Sequence, residues 1–169
     1  MDTIKAIMTR RSVRRFEERG IEERKIETLL RAAMQAPSGH NLQPWHFIVI
    51  TERQILSAIP EFHAYAKMLH QAPAAILVCG DTGIEESVEY VNTDCSAATE
   101  NLLLAAHDLG LGAVWLGVHP RDDRIGFTRQ ILDIPESIVP LNLISIGHPA
   151  EDKEPRTQYD ETRVHRRRW

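Results

Sequence analysis

The chain has 169 residues, of which 43% are hydrophobic and 26% are charged, as is typical of one soluble domain with a buried core rather than of a disordered chain. Its formal net charge of −4 argues against a general affinity for nucleic acids or acidic membrane surfaces. No apolar run approaches the roughly 20 residues that span a bilayer, and the charged N-terminus lacks the apolar region of a signal peptide.

The hydrophobic pattern predicts helices and strands that alternate along the whole chain. Gly110 is well placed to end the longest helix in the left-handed conformation. The alternation predicts an α+β or α/β sandwich around a small central sheet, whose strand order cannot be read from the pattern. Helices are expected over 3–8, 22–35, 87–109 and 122–132, short helical pieces over 52–70 with an interruption at Pro60, and strands over 46–50, 74–79, 113–118 and 138–146.

The middle of the longest predicted helix, residues 95–99, consists of small side chains. Small side chains allow another helix to approach closely, so this helix is expected to be central and to take part in a subunit contact. A helix that is simply buried in its own subunit explains the same residues equally well.

Basic residues are concentrated at the two ends of the chain. Residues 1–31 carry nine Lys or Arg against six acids, residues 151–169 carry six against five, and the stretch between them carries five against thirteen. If the two ends meet in the fold, they form a positive pocket that suits a phosphate group.

The N-terminal part of this charge lies in Arg10-Arg11-Ser12-Val13-Arg14-Arg15. Arginine donates forked, charge-assisted hydrogen bonds to phosphate, and serine adds a hydroxyl group. Taken alone, a cluster of this kind is more often a solvated surface than a binding site.

A second candidate is the loop at residues 36–45, between a predicted helix and a predicted strand. Pro37 and Pro44 stiffen its backbone, while Ser38, Asn41 and Gln43 offer neutral donors and acceptors. Such groups suit a flavin ring or its ribityl chain. An ordinary capped loop, with Trp45 packed in the core, is an equally good explanation of the same residues.

The glycine-rich segment at 110–117 does not fit a dinucleotide-binding fingerprint, which follows a strand and opens a helix. Here the glycines follow a helix and open a strand. Gly117, at the end of that strand, allows a flat ligand to approach the backbone closely. The segment 147–156 follows the last strand and brings Lys153 and Arg156 back from the C-terminal side.

The sequence lacks the motifs of side-chain catalysis and of metal binding. It has no HExxH or paired CxxC spacing, no GxSxG elbow and no phosphate-binding GxxxxGK[ST] loop. Cys79 and Cys95 are predicted to be small buried hydrophobes in a reducing compartment, most simply the cytoplasm. Cofactor-like loops without a nucleophile, base or metal site indicate an enzyme whose cofactor performs the chemistry.

In this order, these segments resemble the nitroreductase family of FMN enzymes. The resemblance rests on Arg10-Arg11-Ser12-Val13-Arg14, on Pro37-Ser38-x-x-Asn41-x-Gln43-Pro44-Trp45, on 100–106, on 110–117 and on the tail from Gly147 to Arg156. It covers essentially the whole chain, so residues 1–169 are expected to form a single nitroreductase-like FMN-binding domain. The resemblance implies an α+β sandwich with a central, mostly antiparallel sheet and an intertwined homodimer that holds FMN at the subunit interface.

The resemblance also implies the roles of individual residues. Arg10, Ser12 and Arg14 would hold the FMN phosphate and the pyrimidine side of the ring, with Arg11 contributing its side chain or backbone. Arg156, with Lys153, would join them from the tail. Pro37, Ser38 and Asn41 would come from the other subunit, and the backbone at Leu116 and Gly117 would lie near flavin N5. His63, Tyr65, Met68 and Tyr90 are the expected pocket lining.

The implied reaction is ping-pong: NADH or NADPH reduces the flavin, and a nitroaromatic, a quinone or a similar flat acceptor then takes the electrons. No membrane or nucleic-acid partner is expected. Two alternatives stay open, namely another FMN reaction on the same scaffold, such as dehalogenation or dehydrogenation, and a flavin-binding module without catalysis.

Overall fold

Four apolar segments build one antiparallel sheet in the computed structural model, which describes residues 2–169. The strands are β1 (Trp45–Ile50), β2 (Ala74–Asp81), β3 (Gly112–Gly117) and β4 (Ile138–Gly147), in the order β1-β2-β4-β3. Every neighbouring pair is antiparallel. The two central strands are almost wholly buried, which explains why they read as continuous apolar runs.

Five α-helices and several short 3₁₀ turns cover the sheet. The helices are α1 (Thr3–Thr9), α2 (Glu23–Ala33), α3 (Arg53–Ala58), α4 (Val88–Asp108) and α5 (Asp122–Leu132). The Ser87 hydroxyl caps the start of α4 by accepting from the Tyr90 N–H. Gly110 takes the left-handed conformation after the helix, with φ of +71°, as predicted for the residue that ends it.

Side chains that alternate along each strand form two cores, one on each face of the sheet. One core packs β-strand residues such as Ile76 and Ile144 against α2 and α4. The other packs residues such as Leu77 and Leu143 against α3, the 3₁₀ turns and α5. This three-layer arrangement confirms the predicted α+β sandwich with its antiparallel sheet and flanking helices.

The small residues in the middle of α4 lie against the sheet. Cys95, Ala98 and Thr99 are fully buried, and α2 lies alongside, where Asn101 Nδ2 donates to the Ala32 carbonyl at 3.2 Å. The expectation of a buried central helix is therefore confirmed within one subunit. Cys79 and Cys95 are both free and buried, as predicted.

The last twenty residues leave this sandwich. Beyond the bridge that pairs Phe16 with Pro149, residues 150–169 form a tail that is extended except for a 3₁₀ turn at Glu161–Arg163. Almost all of its side chains are exposed. Within residues 2–169, no helix combines the length and the apolar character that a membrane crossing requires.

Candidate functional site

The two basic ends of the chain meet at one cavity. Residues from the N-terminal cluster and from the tail surround a volume of about 340 Å³, which we call the tail cavity. Its lining consists of Arg11, Ser12, Arg14, Lys153, Glu154 and Arg156. Five of the residues singled out in the sequence thus lie together, with the charge expected of a phosphate site.

Arg11 holds the tail in this position. Its guanidinium group donates to the carbonyls of Glu154 (3.2 Å) and Arg156 (3.0 Å) in the tail, and to those of Met8 (3.2 Å) and Arg10 (2.6 Å) in its own segment. A guanidinium group has five N–H donors, and four of them are engaged here. Arg11 is therefore a structural clamp on the tail more than a donor to a ligand.

Glu151 is a second link between the ends. It accepts from the Arg14 backbone N–H at 2.7 Å through Oε1, and Lys153 Nζ lies 2.9 Å from its Oε2. The Arg14 hydrogen bond, followed by the interaction with Lys153, holds the pKa of Glu151 below its usual value. The carboxylate consequently stays ionised at neutral pH and fixes the backbone from which the Arg14 side chain extends.

A larger cavity of about 460 Å³ adjoins the first and shares Arg14 with it. We call it the edge cavity because it runs beside the outer edge of β3. Its lining consists of Arg14, His63, Ala64, Tyr65, Lys67, Trp115, Leu116, Gly117 and Arg124. Three of these residues are cations and none is an acid. In the tail cavity the cations outnumber the single acid, Glu154, so a ligand that spans both cavities would meet a net positive lining in each.

The backbone at the edge of β3 faces outward. Val13 N–H donates to the Ala113 carbonyl at 3.0 Å, so Ala113 points away from β4. In an antiparallel ladder the hydrogen-bonding direction alternates from residue to residue, and the β3–β4 register has no break between Gly112 and Gly117. Trp115 and Gly117 therefore also direct their N–H and C=O groups outward, on the side of the edge cavity.

Two side chains occupy the outward carbonyl of Gly117. His63 Nε2 lies 3.1 Å from it and Arg124 Nη1 donates to it at 2.7 Å. Because a carbonyl only accepts, His63 carries its proton on Nε2. Burial lowers the pKa of His63, and the neighbouring Arg124 charge lowers it further.

This lowered pKa predicts a pH dependence of stability. A histidine that is kept neutral in the folded state contributes fully above its unfolded value of 6.5, and the contribution is lost as the pH falls, because the unfolded chain binds the proton more readily. We expect the Tm to fall between about pH 7.5 and pH 5.5, and to fall less in His63→Gln, which cannot titrate. Thermal melts of both proteins by circular dichroism check this. If Tm falls equally with pH in both proteins, His63 is not a source of the pH dependence.

Arg10 lies apart from Arg14. Its Nε pairs with Glu100 at 3.3 Å, and the side chain lines a third cavity of about 270 Å³ beside Thr9 and His107. That cavity shares Arg11 and Lys153 with the tail cavity. Within this chain, Arg10 therefore lies outside the lining of the tail cavity.

The loop that carries Pro37, Ser38 and Asn41 lines neither the tail cavity nor the edge cavity. Ser38 Oγ accepts from the Gln43 N–H at 3.0 Å, and the buried Asp94 carboxylate accepts from the Gly39 N–H at 3.2 and 3.1 Å. These bonds hold three non-glycine residues, His40, Asn41 and Gln43, at positive φ. Backbone strain of this kind collects at functional sites. Within this chain, however, the loop lies away from both cavities.

Two of the four residues expected to line the pocket lie at the edge cavity. His63 and Tyr65 line the edge cavity. Met68 packs instead in the core beneath it, and Tyr90 lies exposed on the first turn of α4. Sequence reasoning missed Lys67 and Arg124, which line the cavity but belong to no motif and carry no signal beyond their charge.

Comparison with known proteins adds a family match. The family model described as the nitroreductase family matches residues 7–68 and 60–148. A protein of Methanothermobacter thermautotrophicus with the provisional name NADH dehydrogenase/NAD(P)H nitroreductase is 46% identical over 169 residues, covering 100% of this chain and 88% of that protein.

Two solved structures extend the match to the fold. A protein of Parabacteroides distasonis that carries the same provisional name superimposes with a TM-score of 0.96 at 42% identity, covering 99% of this chain and 98% of that one. An FMN-dependent nitroreductase of Clostridium difficile superimposes with a TM-score of 0.90 at 29% identity, covering 98% and 99%.

Proposed function

Because this chain belongs to the nitroreductase family, we propose that it is an FMN-dependent oxidoreductase that takes a hydride from NADH or NADPH and passes electrons to a nitroaromatic, a quinone or a similar flat acceptor by a ping-pong reaction. The observation that carries the proposal is the pair of cavities joined at Arg14. One is small and basic, and the other is wide and bordered by the β3 edge.

The tail cavity fits the phosphate end of FMN. Ser12 offers a hydroxyl group, and Arg14, Lys153 and Arg156 offer cations from the two ends of the chain. Charge-assisted bonds from such groups are about twice as strong as neutral ones. Arg11 supports the site by fixing the tail that brings Lys153 and Arg156 to it.

The edge cavity fits the ring end. When bound, FMN supplies the redox chemistry, accepting a hydride from the nicotinamide and giving electrons to the acceptor. The outward N–H of Gly117 is suited to donate to the ring edge, and Arg14 and Lys67 place positive charge where electron transfer into the cofactor adds negative charge. In this proposal, the residues of the two cavities bind, orient and polarise the cofactor, and no side chain is required as a nucleophile.

The complete site requires a second copy of the chain in this proposal. The loop carrying Pro37, Ser38 and Asn41 lies away from both cavities, and the tail extends from the sandwich to a fully exposed Trp169. Ile4, Ile7 and Met8 on α1 are also more than half exposed. Apolar side chains and an extended tail that the subunit does not cover are typical of an obligate interface, so we assign them to a homodimer with FMN between its subunits.

The direct test is a visible absorption spectrum of the purified protein before and after anaerobic addition of NADH or NADPH. Flavin bands that bleach on addition, and return when a nitroaromatic or quinone is added, are expected. A colourless protein that takes up no added FMN contradicts the proposal. Bound flavin that does not bleach would indicate a flavin-binding module, and bleaching without reoxidation by these acceptors would indicate another FMN reaction.

Mixed dimers test the shared site. Arg14→Ala and the double variant Ser38→Ala/Asn41→Ala are each expected to bind FMN poorly. If every site uses Arg14 from one subunit and the loop from the other, refolding the two variants together restores one intact site per heterodimer, about a quarter of all sites for random pairing. FMN titration of the mixture measures the recovery. No recovery over the separate variants would mean that each site is built from one chain.

A further inference from the structure

The outward carbonyl of Gly117 is the most heavily engaged backbone group at the edge cavity. His63 reaches it from the segment between the 3₁₀ turns, and Arg124 reaches it from the first turn of α5. The other side of the same peptide group is fixed as well, because the Val118 N–H donates to the Leu141 carbonyl at 3.0 Å. The end of β3 is therefore held on both sides.

We propose that His63 and Arg124 are positioning residues whose shared task is to occupy the Gly117 carbonyl, so that the end of β3 offers a bound flavin only its N–H group. This inference rests on the proposed FMN function. It assigns a role to two residues that lie outside the sequence motifs of the site.

The Gly117 carbonyl has to be occupied because an outward-facing residue of a strand presents both its N–H and its C=O group. Gly117 directs one donor and one acceptor to the same side. The ring edge of an oxidised flavin at N5 is an acceptor, so a free carbonyl beside it would oppose its lone pair, and a buried carbonyl without a donor costs free energy of its own. Donors from His63 and Arg124 satisfy both lone pairs of the oxygen, which leaves the N–H as the group available to the ring.

The two donors support each other. His63 has to keep its Nε2 proton and remain neutral, since a second charge would lie beside the Arg124 guanidinium group. Both side chains line the cavity, and each has the Gly117 carbonyl as its hydrogen-bond partner. Of the acids near them, Asp123 pairs with Arg121 at 3.5 Å.

A selective label reports on this carbonyl directly. Gly117-Val118 is the single Gly-Val step in the sequence, so protein labelled with 1-¹³C glycine and ¹⁵N valine gives one correlated carbonyl–amide signal, from this peptide group. Loss of a donor moves the carbonyl resonance upfield. We expect that shift in His63→Leu and in Arg124→Met, a larger one in the double variant, and a position close to wild type in His63→Gln, which keeps an N–H donor.

FMN affinity tests the consequence. The double variant His63→Leu/Arg124→Met is expected to bind FMN about tenfold more weakly, the effect of one lost hydrogen bond, while His63→Gln stays within about threefold of wild type. Arg121→Met is the matched control, because it removes a cation one helical turn away on the surface and should change neither the carbonyl signal nor the affinity.

The outcomes separate this inference from the proposed function. If the wild-type protein binds no FMN, the function itself is wrong. If wild type binds FMN and the double variant shifts the carbonyl signal but binds equally well, the function stands and the positioning role is wrong. An unshifted signal in the double variant, with an unchanged circular dichroism spectrum, would show that the two donors do not act on Gly117.

Discussion

Replacing Arg14 by alanine is expected to weaken FMN binding by about 2 kcal/mol, since hydrogen bonds to charged groups each contribute about 1.5–3 kcal/mol. Among residues 2–169, Arg14 is the one residue that lines both the tail cavity and the edge cavity. Its loss therefore removes a cation from the phosphate end and from the ring end of the proposed site together. Fluorescence titration of the apoprotein with FMN measures the change.

Substitutions of two other arginines test whether the effect is specific to Arg14. Arg31→Ala, which removes an exposed cation paired with Glu27 on α2, should leave FMN affinity unchanged. Arg10→Ala should have a smaller effect than Arg14→Ala, because Arg10 pairs with Glu100 and lies outside the lining of the tail cavity. An Arg10 effect equal to or larger than that of Arg14 would show that Arg10 leaves Glu100 for the ligand when the dimer forms.

Gly80→Ala is expected to destabilise the fold by about 3 kcal/mol, at the upper end of the range for overpacked cores. A Cβ at this position in β2 would overlap the Val91 side chain of α4 and lie 3.2 Å from Leu141 Cδ1. Val91 and Leu141 are fully buried, so neither can move aside without shifting α4 or β4. Urea unfolding followed by circular dichroism measures the loss.

Gly126→Ala is the matched control for this substitution. A Cβ at Gly126, within α5, would meet no atom within 4 Å, and alanine is the better helix former by about 1 kcal/mol. The control protein should therefore be as stable as wild type or more so. A Gly80→Ala protein with wild-type stability would mean that the contact between β2 and α4 is looser than the structure shows.

The sequence predicted the secondary structure well because the periodicity is strong. The bounds of α5 agree at both ends, and most other bounds differ by one or two residues. The strand order could not be predicted, because all four segments are apolar enough to be central. The structure shows that β1 and β3 are the edges, and the edge position of β3 is what opens Gly117 to a ligand.

The candidate site was predictable in the part where charge and motif coincide in the sequence. The uneven distribution of basic residues predicted a positive pocket if the two ends of the chain meet, and residues from both ends do line the tail cavity. It could not distinguish Arg11, whose donors are taken by carbonyls, from Arg14, whose side chain faces two cavities. Such roles depend on the path of the backbone, which no pattern of residue types records. Lys67 and Arg124 were not identified from the sequence for the same reason, since only the path of the backbone brings them to the edge cavity.

The attachment of the tail through Arg11 has a consequence for how the sequence can change over time. Arg11 recognises the carbonyls of Glu154 and Arg156, not their side chains. Every amino acid supplies that carbonyl, so substitutions at 154 and 156 would leave the path of the tail intact. Side chains that line the tail cavity can therefore be replaced during evolution while the backbone keeps its position. A substitution of Arg11 itself would instead displace the whole tail segment and every side chain on it.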